Sequence, residues 1–268
     1  MVRRARLDAE LVRRGLARSR TQAADLVAAG RVRVAGQVAT KAATAVAADD
    51  PVVVSTDADR PAYVSRGGDK LAGALAAFVP RGLVVAGRRC LDAGASTGGF
   101  TDVLLRAGAD AVVAVDVGYG QLAWSLQTDP RVVVLDRTNV RELTVEMIGG
   151  PVDLVVGDLS FIPLGVVLPA LAGATASGAD LVVMVKPQFE VGRERVGSGG
   201  VVRETALRVE AVASVAAAAG SLGLGVPGVV ASPLPGPAGN VEYFLWLRAG
   251  APPLDPDDLA RAVAEGPQ

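Results

Sequence analysis

Histidine is absent from this chain of 268 residues. Its imidazole has the side-chain pKa that lies nearest to neutral pH, and it is a common general base and metal ligand in enzymes. Any general base in this protein must therefore be a carboxylate, a lysine, a tyrosine or the single cysteine. We expect no bound metal ion.

Cysteine, aromatic residues and long apolar runs are also scarce. The one cysteine, Cys90, cannot form an intramolecular disulfide, which is typical of a cytoplasmic protein. Aromatic residues make up only 4% of the chain, so alanine, valine, glycine and leucine must build the core. Apolar runs such as 152–156 and 181–185 have the length of strands, so we expect no stable insertion into a membrane. The length fits one large domain and a small one.

Charge is distributed unevenly along the chain, although the formal net charge is only −1. Residues 1–41 hold ten lysines or arginines and three acidic residues, which gives a charge of +7. The remaining 227 residues hold 17 basic and 25 acidic residues, which gives −8. A basic N-terminal module on an acidic body indicates a polyanion partner, and a solvated helix face is the plainer alternative.

Residues 1–59 have the pattern of a small α+β domain. Apolar residues at helical spacing predict helices over 7–15 and 20–29, and residues 31–40 predict a β-hairpin. Residues 6–41 carry the motifs R-L-D-x-x-L, S-R-x-x-A and G-x-V-x-V-x-G, and this stretch resembles the S4 RNA-binding domain. The resemblance implies that basic side chains of this domain contact RNA: Arg6, Arg20 and Lys41, supported by Arg3, Arg4 and Arg18. Such contacts neutralise phosphates and carry little sequence information.

A second domain is predicted over residues 67–268, after an interdomain linker at 60–66. From residue 88 onward, predicted strands alternate with predicted helices, which favours a doubly wound, largely parallel sheet. The strands are predicted at 89–92, 111–116, 132–135, 153–158 and 180–186. The helices are predicted at 69–78, 100–107, 121–127, 140–148, 164–171 and 204–222.

The last two predicted strands, 226–232 and 241–248, are separated by only about eight residues. A parallel crossover needs a dozen or more residues, so these two strands must pair antiparallel. Five parallel strands closed by an antiparallel hairpin indicate an α/β fold with a class I, Rossmann-like methyltransferase sheet.

A glycine-rich loop, DAGASTGGF, follows the first strand of this domain. A dinucleotide fingerprint beginning at Gly94 would need glycine at position 96, where this chain has Ser96. The loop instead looks like the D-x-G-x-x-x-G loop of S-adenosylmethionine enzymes, although a glycine turn that serves only helix–strand packing is the alternative. The implied cofactor-binding residues are Asp92, Gly94, Ala95, Ser96, Thr97, Gly98, Gly99, Phe100, Asp116, Asp136, Asp158 and Phe161.

Four ionisable residues lie at or near the ends of predicted elements: Lys70, Asp158, Lys186 and Glu242. The carboxyl ends of parallel strands form the ligand crevice of an open α/β sheet, so these groups should form a site that handles protons. Solvated ion pairs at strand ends are the alternative interpretation.

The motifs DAGASTGGF, DLSFI, KPQFE and GNVEYF follow one another in this order. With the S4-like module, they resemble the TlyA-type, or hemolysin A-like, family of ribosomal RNA 2′-O-methyltransferases, whose large domain is similar to the FtsJ/RrmJ enzymes. The family's Lys-Asp-Lys-Glu set, hereafter the tetrad, falls on Lys70, Asp158, Lys186 and Glu242.

The resemblance implies methyl transfer from S-adenosyl-L-methionine to the ribose of cytidine in 16S or 23S ribosomal RNA, or in both. Ribosomal RNA or ribosomal subunits are the implied partner. We expect Lys186 to activate the 2′-hydroxyl and Lys70 to supply a neighbouring positive charge, while Asp158 and Glu242 hold the lysines.

Three residues near the tetrad have less definite roles. Phe161 should pack on the adenine of the cofactor or on the target base, although a core position is nearly as plausible. Arg137 should contact RNA or cofactor. The loop 233–239 should present Asn240, together with Glu242, to the site.

Two other functions stay open. One is an RNA-binding ribosome assembly factor without turnover, and the other is a hemolysin or cytolysin, as the family's second name suggests. We expect neither a secretory signal nor a long basic amphipathic helix, and this argues against direct lysis. The sequence indicates no oligomeric state.

Overall fold

The computed structural model divides into two compact units, Met1–Arg66 and Gly67–Gln268. It describes residues 4–28, 31–35, 37–54 and 63–267. Residues 60–62 of the predicted linker lie outside the described ranges, and the boundaries 1–59, 60–66 and 67–268 stay predictions.

The described part of the N-terminal unit consists of two helices and short strands. Its elements are β1 (Arg4–Arg6), α1 (Leu7–Arg13), α2 (Arg20–Ala28), β2 (Val32–Val34), β3 (Gln37–Val38), β4 (Ala45–Ala47) and β5 (Val52–Val54). Strand β1 pairs antiparallel with β4, and β2 lies between β3 and β5. The β2–β3 pair confirms the predicted hairpin. Sequence reasoning missed the β1–β4 pair because three-residue strands are too short to show a periodic pattern.

The core of this unit lies where α1 and α2 meet the strands. Leu7 and Leu11 of α1 pack with Ala23 and Val27 of α2 and with Val32 of β2, and all five are buried. The spacing of four residues on each helix places both members of a pair on the same face. Helix α1 ends at Arg13, and Gly15 adopts a positive φ just beyond it, as glycine commonly does after a helix.

The large unit is a sheet covered by helices on both faces. Its elements are α3 (Gly67–Phe78), β6 (Arg89–Ala93), α4 (Gly99–Arg106), β7 (Ala111–Val115), α5 (Trp124–Gln127), β8 (Val132–Leu135), β9 (Val152–Gly157), α6 (Leu164–Gly173), β10 (Thr175–Val185), α7 (Pro187–Glu190), α8 (Thr205–Gly220), β11 (Leu224–Ala231), β12 (Tyr243–Ala249) and α9 (Pro256–Glu265).

Seven strands form this sheet in the order β11-β12-β10-β9-β6-β7-β8. Strand β12 runs antiparallel to both of its neighbours, β10 and β11, and the pairs from β10 to β8 are parallel. The predicted α/β fold with an antiparallel closing hairpin is therefore confirmed. The carboxyl ends of β6, β7, β9 and β10 lie at one edge of the sheet, and β12 starts at that same edge.

Strand β12 illustrates how the two faces are filled. Tyr243 and Leu245 pack in the large cluster that includes side chains of α6, α8 and α9. The alternate residues contact aromatic rings of the helices on the other face: Phe244 lies 5.9 Å from Phe100 of α4, and Trp246 lies 5.7 Å from Phe78 of α3, between ring centroids. Buried side chains alternate between the two faces of a strand, and both faces here are apolar.

One predicted helix, 140–148, is wrong. The chain there forms only a short 3₁₀ turn, Val140–Glu142, in which the side chain of Asn139 accepts a hydrogen bond from the backbone N of Arg141. Leu143 is already extended. The β-branched residues Thr144 and Val145 that follow favour helix less than unbranched residues do. Sequence reasoning also did not predict the C-terminal helix α9.

A buried ionic cluster stabilises the sheet at the edge opposite to the strand ends described above. Asp180 is fully buried and accepts hydrogen bonds from Arg88 at 2.7 Å, from Arg248 at 2.7 Å and from the indole N–H of Trp246 at 2.7 Å. Burial opposes ionisation of Asp180, but these hydrogen bonds outweigh it and lower the pKa of the carboxyl.

Replacement of Asp180 by alanine is expected to lower the free energy of unfolding by about 3–5 kcal/mol, because two guanidinium groups lose their shared partner. Denaturant unfolding of wild type and variant measures the difference. A loss below about 1 kcal/mol, the range of exposed ion pairs, would contradict a structural role for this cluster.

Candidate active site

All four residues of the tetrad lie at the carboxyl edge of the sheet or next to it. Asp158 directly follows β9, and Lys186 directly follows β10. The last residue pair between β10 and β12 is Val185–Tyr243, so Lys186 and Glu242 are the next residues beyond it. Three adjacent strands therefore deliver three ionisable groups to one place, as their positions in the sequence predicted.

The first ion pair joins Lys186 and Asp158. The Nζ atom of Lys186 lies 2.6 Å from Oδ1 of Asp158 and donates a hydrogen bond to Oγ of Ser160 at 2.8 Å. It also lies 6.0 Å from the ring centroid of Phe189. The Lys186 side chain is only 9% exposed, and that of Asp158 is 23% exposed. The amine is thus held firmly, yet the pair is still open to a ligand on the side of Asp158.

The second ion pair joins Lys70 and Glu242. Lys70 lies in α3, and its Nζ atom is 2.5 Å from Oε2 of Glu242, with both side chains at most 5% exposed. The thioether of Met184, a residue of β10, lies 4.0 Å from the same Nζ atom. The tetrad therefore consists of two ion pairs, of which Lys70–Glu242 is the more deeply buried.

A glycine makes room for Glu242. A Cβ atom at Gly236, in the loop between β11 and β12, would lie only 2.6 Å from Oε1 of Glu242. The backbone N of Gly236 donates to the carbonyl of Asn240 at 2.8 Å, which closes this loop beneath the carboxylate. The predicted presentation of Glu242 by this loop agrees with the geometry.

Asn240 has a different role from the one that the sequence predicted. Its Oδ1 accepts from the backbone N of Val202 at 2.9 Å, and its Nδ2 donates to the carbonyl of Gly200 at 2.8 Å. The side chain is 2% exposed. Asn240 thus fixes the glycine-rich segment before α8 to the start of β12, two residues from Glu242.

The glycine-rich loop closes tightly over the end of β6. The backbone N–H groups of Gly94 and Ala95 both donate to the carbonyl of Val115, at 2.9 and 3.1 Å. Gly94 has a φ of +85°, and a Cβ atom there would lie 2.8 Å from the carbonyl oxygen of Asp158. Only glycine fits this position, since a side chain would meet the backbone of the neighbouring strand end.

Asp116, at the end of β7, holds this loop in place. Its two carboxylate oxygens accept from the backbone N of Ser96 at 2.8 Å and from the backbone N of Gly118 at 2.7 Å. Each oxygen can accept more than one hydrogen bond, so the carboxylate can also accept from the hydroxyl groups of a ribose. Asp136, after β8, binds the backbone N of Gly120 in a similar way, at 2.9 Å.

A cavity of about 460 Å³ opens between these loops. Its lining residues are Gly94, Ser96, Asp116, Val117, Gln121, Asn139, Val140, Asp158, Leu159, Ser160, Phe161, Ile162 and Val167. Five residues of the predicted cofactor set are among them: Gly94, Ser96, Asp116, Asp158 and Phe161. The others of that set do not line it: Asp92, Ala95, Thr97, Gly98, Gly99, Phe100 and Asp136.

Sequence reasoning missed several lining residues, because neither a motif nor a helical pattern shows which side chains face a cavity. Val140 was assigned to the start of a helix that does not form, Ile162 ends the DLSFI motif, and Val167 lies in α6. A second cavity, of about 660 Å³ between α8, β11 and α9, is lined by apolar side chains and glycines without an ionisable group, so it offers no such chemistry.

Asp92 lies beneath the loop rather than in the cavity. It is fully buried, Thr101 donates to its Oδ2 at 2.7 Å, and its Oδ1 has no hydrogen-bond partner among the described residues. Burial raises the pKa of the Asp92 carboxyl to about 7. The folded chain therefore binds the proton of the Asp92 carboxyl more tightly than the unfolded chain does.

The free energy of unfolding is expected to decrease as the pH rises from about 4 through 7, because the folded state then loses the proton that it binds more tightly. The Asp92→Asn variant, which carries no charge here, should lack this contribution and be more stable than wild type at pH 8 by about 2–4 kcal/mol. Denaturant unfolding at pH 5 and pH 8 measures both effects. A difference in the free energy of unfolding between wild type and variant that is equal at the two pH values would contradict the assignment.

Two predicted contact residues are exposed at the mouth of the cavity or near it. Phe161 is 91% exposed, has a φ of +65°, and lies 5.2 Å from Phe189 between ring centroids. A core position for Phe161 is therefore wrong. Arg137 is also exposed, with its guanidinium 4.3 Å from the ring centroid of Tyr119. Phe161 and Arg137 both have a positive φ, which strains a bulky residue, and such strain clusters at functional sites.

The predicted RNA contacts of the N-terminal unit lie at its surface where they are described. The exposed residues are Arg4, Arg6, Arg18, Arg20 and Lys41, and Arg3 lies outside the described residues. Their RNA-binding role stays a prediction.

Within the described ranges, no helix has the length and apolarity needed to cross a membrane, and no cluster of three or more potential ligands is placed to hold a metal ion.

Seven strands in this order, with a glycine loop after the central strand and ionisable groups at the strand ends, define a class I methyltransferase. The chain belongs to the family of FtsJ-like methyltransferases, whose model matches residues 63–249, and the S4 domain model matches residues 5–52. The family predicted from the sequence motifs is therefore confirmed.

Several known proteins are similar over nearly the full chain. The 16S/23S rRNA (cytidine-2′-O)-methyltransferase TlyA of Mycobacterium tuberculosis is 63% identical over 273 residues, which cover 100% of both chains. Hemolysin A of Brachyspira hyodysenteriae is 36% identical over 240 residues, or 89% of this chain and 98% of that protein. The solved structure of a candidate hemolysin from Streptococcus thermophilus has a TM-score of 0.76 and 38% identity, and covers 99% of this chain and 96% of that one.

Proposed function

We propose that this protein transfers the methyl group of S-adenosyl-L-methionine to the 2′-hydroxyl of cytidine in ribosomal RNA of one or both subunits. The observation that carries the proposal is the Lys186–Asp158 ion pair, in which the carboxylate lines the same cavity as the loop at Gly94. The 63% identity to TlyA, over the full length of both chains, supports ribosomal RNA as the substrate and cytidine as the target.

The cavity fits S-adenosyl-L-methionine on the chemistry of its lining. Gly94 lets the backbone approach a ligand closely, and Asp116 keeps lone pairs for a pair of ribose hydroxyls. Val140, Ile162 and Val167 supply an apolar wall for a flat base. When bound, this cofactor supplies a methyl group on a sulfonium that can pass directly to an oxygen nucleophile.

The chain's own residues position the target hydroxyl and remove its proton. After losing its own proton, the amine of Lys186 would accept the proton of the 2′-hydroxyl as that oxygen takes the methyl group and leaves the cofactor demethylated. Asp158, 2.6 Å away, stabilises the ammonium that results, and Ser160 fixes the direction of the amine. Lys70, paired with Glu242, would supply a second positive charge and help to orient the ribose.

Phe161 provides a stacking surface beside this pair. Its exposed ring and that of Phe189 form an aromatic patch next to Lys186, and bases stack on such rings with about 1–3 kcal/mol of stabilisation each. We propose that the ring contacts the target base or the adenine of the cofactor.

The exposed arginines of the N-terminal unit and Arg137 would bind the phosphates of the RNA. Such an enzyme acts in the cytoplasm, where ribosomal subunits are found.

Analysis of the product tests the proposal directly. Ribosomal RNA treated with the protein and S-adenosyl-L-methionine would be digested to nucleosides and examined by mass spectrometry for 2′-O-methylcytidine. Methylation on the ribose of cytidine supports the proposal. Methylation on a base, or on the ribose of another nucleoside, would overturn the assigned target.

A further inference from the structure

A buried carboxylate lies between two arginines of the N-terminal unit. Asp8 is 5% exposed. Its Oδ2 accepts from Nη2 of Arg6 at 2.9 Å and from Nη2 of Arg20 at 3.0 Å. Its Oδ1 accepts from Nε of Arg6 at 3.1 Å and from the backbone N of Ala9 at 2.8 Å. The helix backbone thus fixes the carboxylate, and the carboxylate fixes both guanidinium groups.

The two guanidinium groups come from different elements and are brought side by side. Arg6 ends β1 and Arg20 begins α2. Since both Nη2 atoms lie within 3.0 Å of one oxygen, they are no more than ~6 Å apart, a distance at which two cations repel each other unless an anion lies between them. Their side chains are 54% and 60% exposed, so donors that Asp8 does not use face solvent.

The ion pairs with Arg6 and Arg20 also keep the Asp8 carboxyl ionised. The hydrogen bond from Arg6 holds the pKa of the Asp8 carboxyl well below its ordinary value, against the opposing effect of burial, and Arg20 adds to this. Two guanidinium groups and one carboxylate leave a net charge of +1 at neutral pH, which one phosphate would neutralise.

The second buried acid of α1, Glu10, also binds two arginines, the exposed Arg13 at 2.6 Å and the more buried Arg14. Glu10 binds Arg14 at 2.7 Å, and Arg14 is 19% exposed because it also donates to the carbonyls of Ala47, Ala48 and Asp50. That arginine fastens the helix to a turn of the same unit. Arg6 and Arg20, in contrast, are linked to Asp8 and otherwise extend to the surface.

We propose that Asp8 is a positioning residue for RNA binding, which holds Arg6 and Arg20 together so that both guanidinium groups bind the same stretch of RNA backbone. The inference rests on the proposed binding of ribosomal RNA by the N-terminal unit. Guanidinium groups recognise phosphate through paired N–H donors, so their relative placement matters as well as their charge.

The proposal predicts an effect opposite in sign to that of simple charge. The Asp8→Asn variant makes the unit more positive by one charge, and Coulomb attraction alone would leave RNA binding unchanged or strengthen it. Loss of the shared carboxylate should instead let the guanidinium groups separate and weaken binding about tenfold near 0.15 M salt, with a salt slope smaller by about 1.

The predicted loss of RNA affinity and the smaller salt slope of Asp8→Asn can be measured by filter binding. The full chain would be bound to transcribed 16S and 23S ribosomal RNA over a range of salt concentrations. Asp49→Asn is the matched control, since it adds the same charge at an exposed position of the same unit. Thermal unfolding reports whether each variant folds, and Asp8→Glu, which keeps the charge but displaces it, replaces Asp8→Asn if that variant does not fold.

A mutational cycle separates positioning from a general structural defect. In an Arg6→Ala/Arg20→Ala background, Asp8→Asn should have no further effect on RNA binding. An additional loss in that background, or unchanged affinity of Asp8→Asn in the wild-type background, would overturn the inference while leaving RNA binding by the arginines in place. If Arg6→Ala/Arg20→Ala binds RNA as wild type does, the proposed RNA surface itself is wrong, and the inference with it.

Discussion

Replacement of Lys186 by methionine is expected to lower the rate of methyl transfer to ribosomal RNA by about 10²–10⁴-fold, the usual contribution of a positioned general base. Methionine fills a similar volume but has no amine to accept the proton of the 2′-hydroxyl. Single-turnover kinetics with saturating cofactor measure the chemical step directly, and cofactor binding by calorimetry shows that the cavity is intact.

Lys186→Arg distinguishes a base from a simple positive charge. Arginine keeps the cation and its pairing with Asp158, which lies 2.6 Å from the lysine amine, but a guanidinium is not deprotonated in proteins. We therefore expect this variant to be nearly as inactive as Lys186→Met. Activity close to wild type in Lys186→Arg would contradict the role of base, as would an active Lys186→Ala combined with an inactive Lys70→Ala.

Replacement of Glu242 by alanine is expected to reduce both stability and activity. It leaves the ammonium of Lys70, a side chain only 5% exposed, without its carboxylate at 2.5 Å. Breaking a buried pair in this way lowers the free energy of unfolding by about 3–5 kcal/mol. Denaturant unfolding measures this loss. Asp258→Ala, which removes a partly exposed acid paired with Arg81 and Arg261, is the control and should cost less than about 1 kcal/mol.

The double variant Lys70→Met/Glu242→Leu separates the structural from the catalytic role of this pair. Replacing both charges by apolar groups should restore most of the lost stability. Methyl transfer should stay low, because the positive charge beside Lys186 is still missing. Recovery of activity together with stability would show that Lys70 and Glu242 form only an ion pair that supports the fold.

The large sheet was predictable from sequence because its strands are buried on both faces. Such strands are short continuous apolar runs, as at 152–156 and 181–185, and their ends are marked by Asp158 and Lys186. The short spacing of the last two strands required an antiparallel pair, and the structure has it between β11 and β12. Each of these features depends on local sequence alone.

Features that depend on contacts between distant residues were not predictable. Nothing local to the sequence indicates that Lys186 pairs with Asp158 and Lys70 with Glu242, since separations of 28 and 172 residues are bridged by the fold. The carboxamide of Asn240 binds a loop some 40 residues away. The segment 140–148 has apolar spacing that suits a helix, but it forms turns instead, and Val140 lines the cavity.

The most direct test of the central claim uses methyl-labelled S-adenosyl-L-methionine with separated small and large ribosomal subunits, and with Lys186→Ala as the control. We predict label in the ribose of the RNA of one or both subunits, and none with the variant. If a folded wild-type protein that binds RNA leaves no label in either subunit, the tetrad does not perform this reaction and the protein is better explained as an RNA-binding assembly factor.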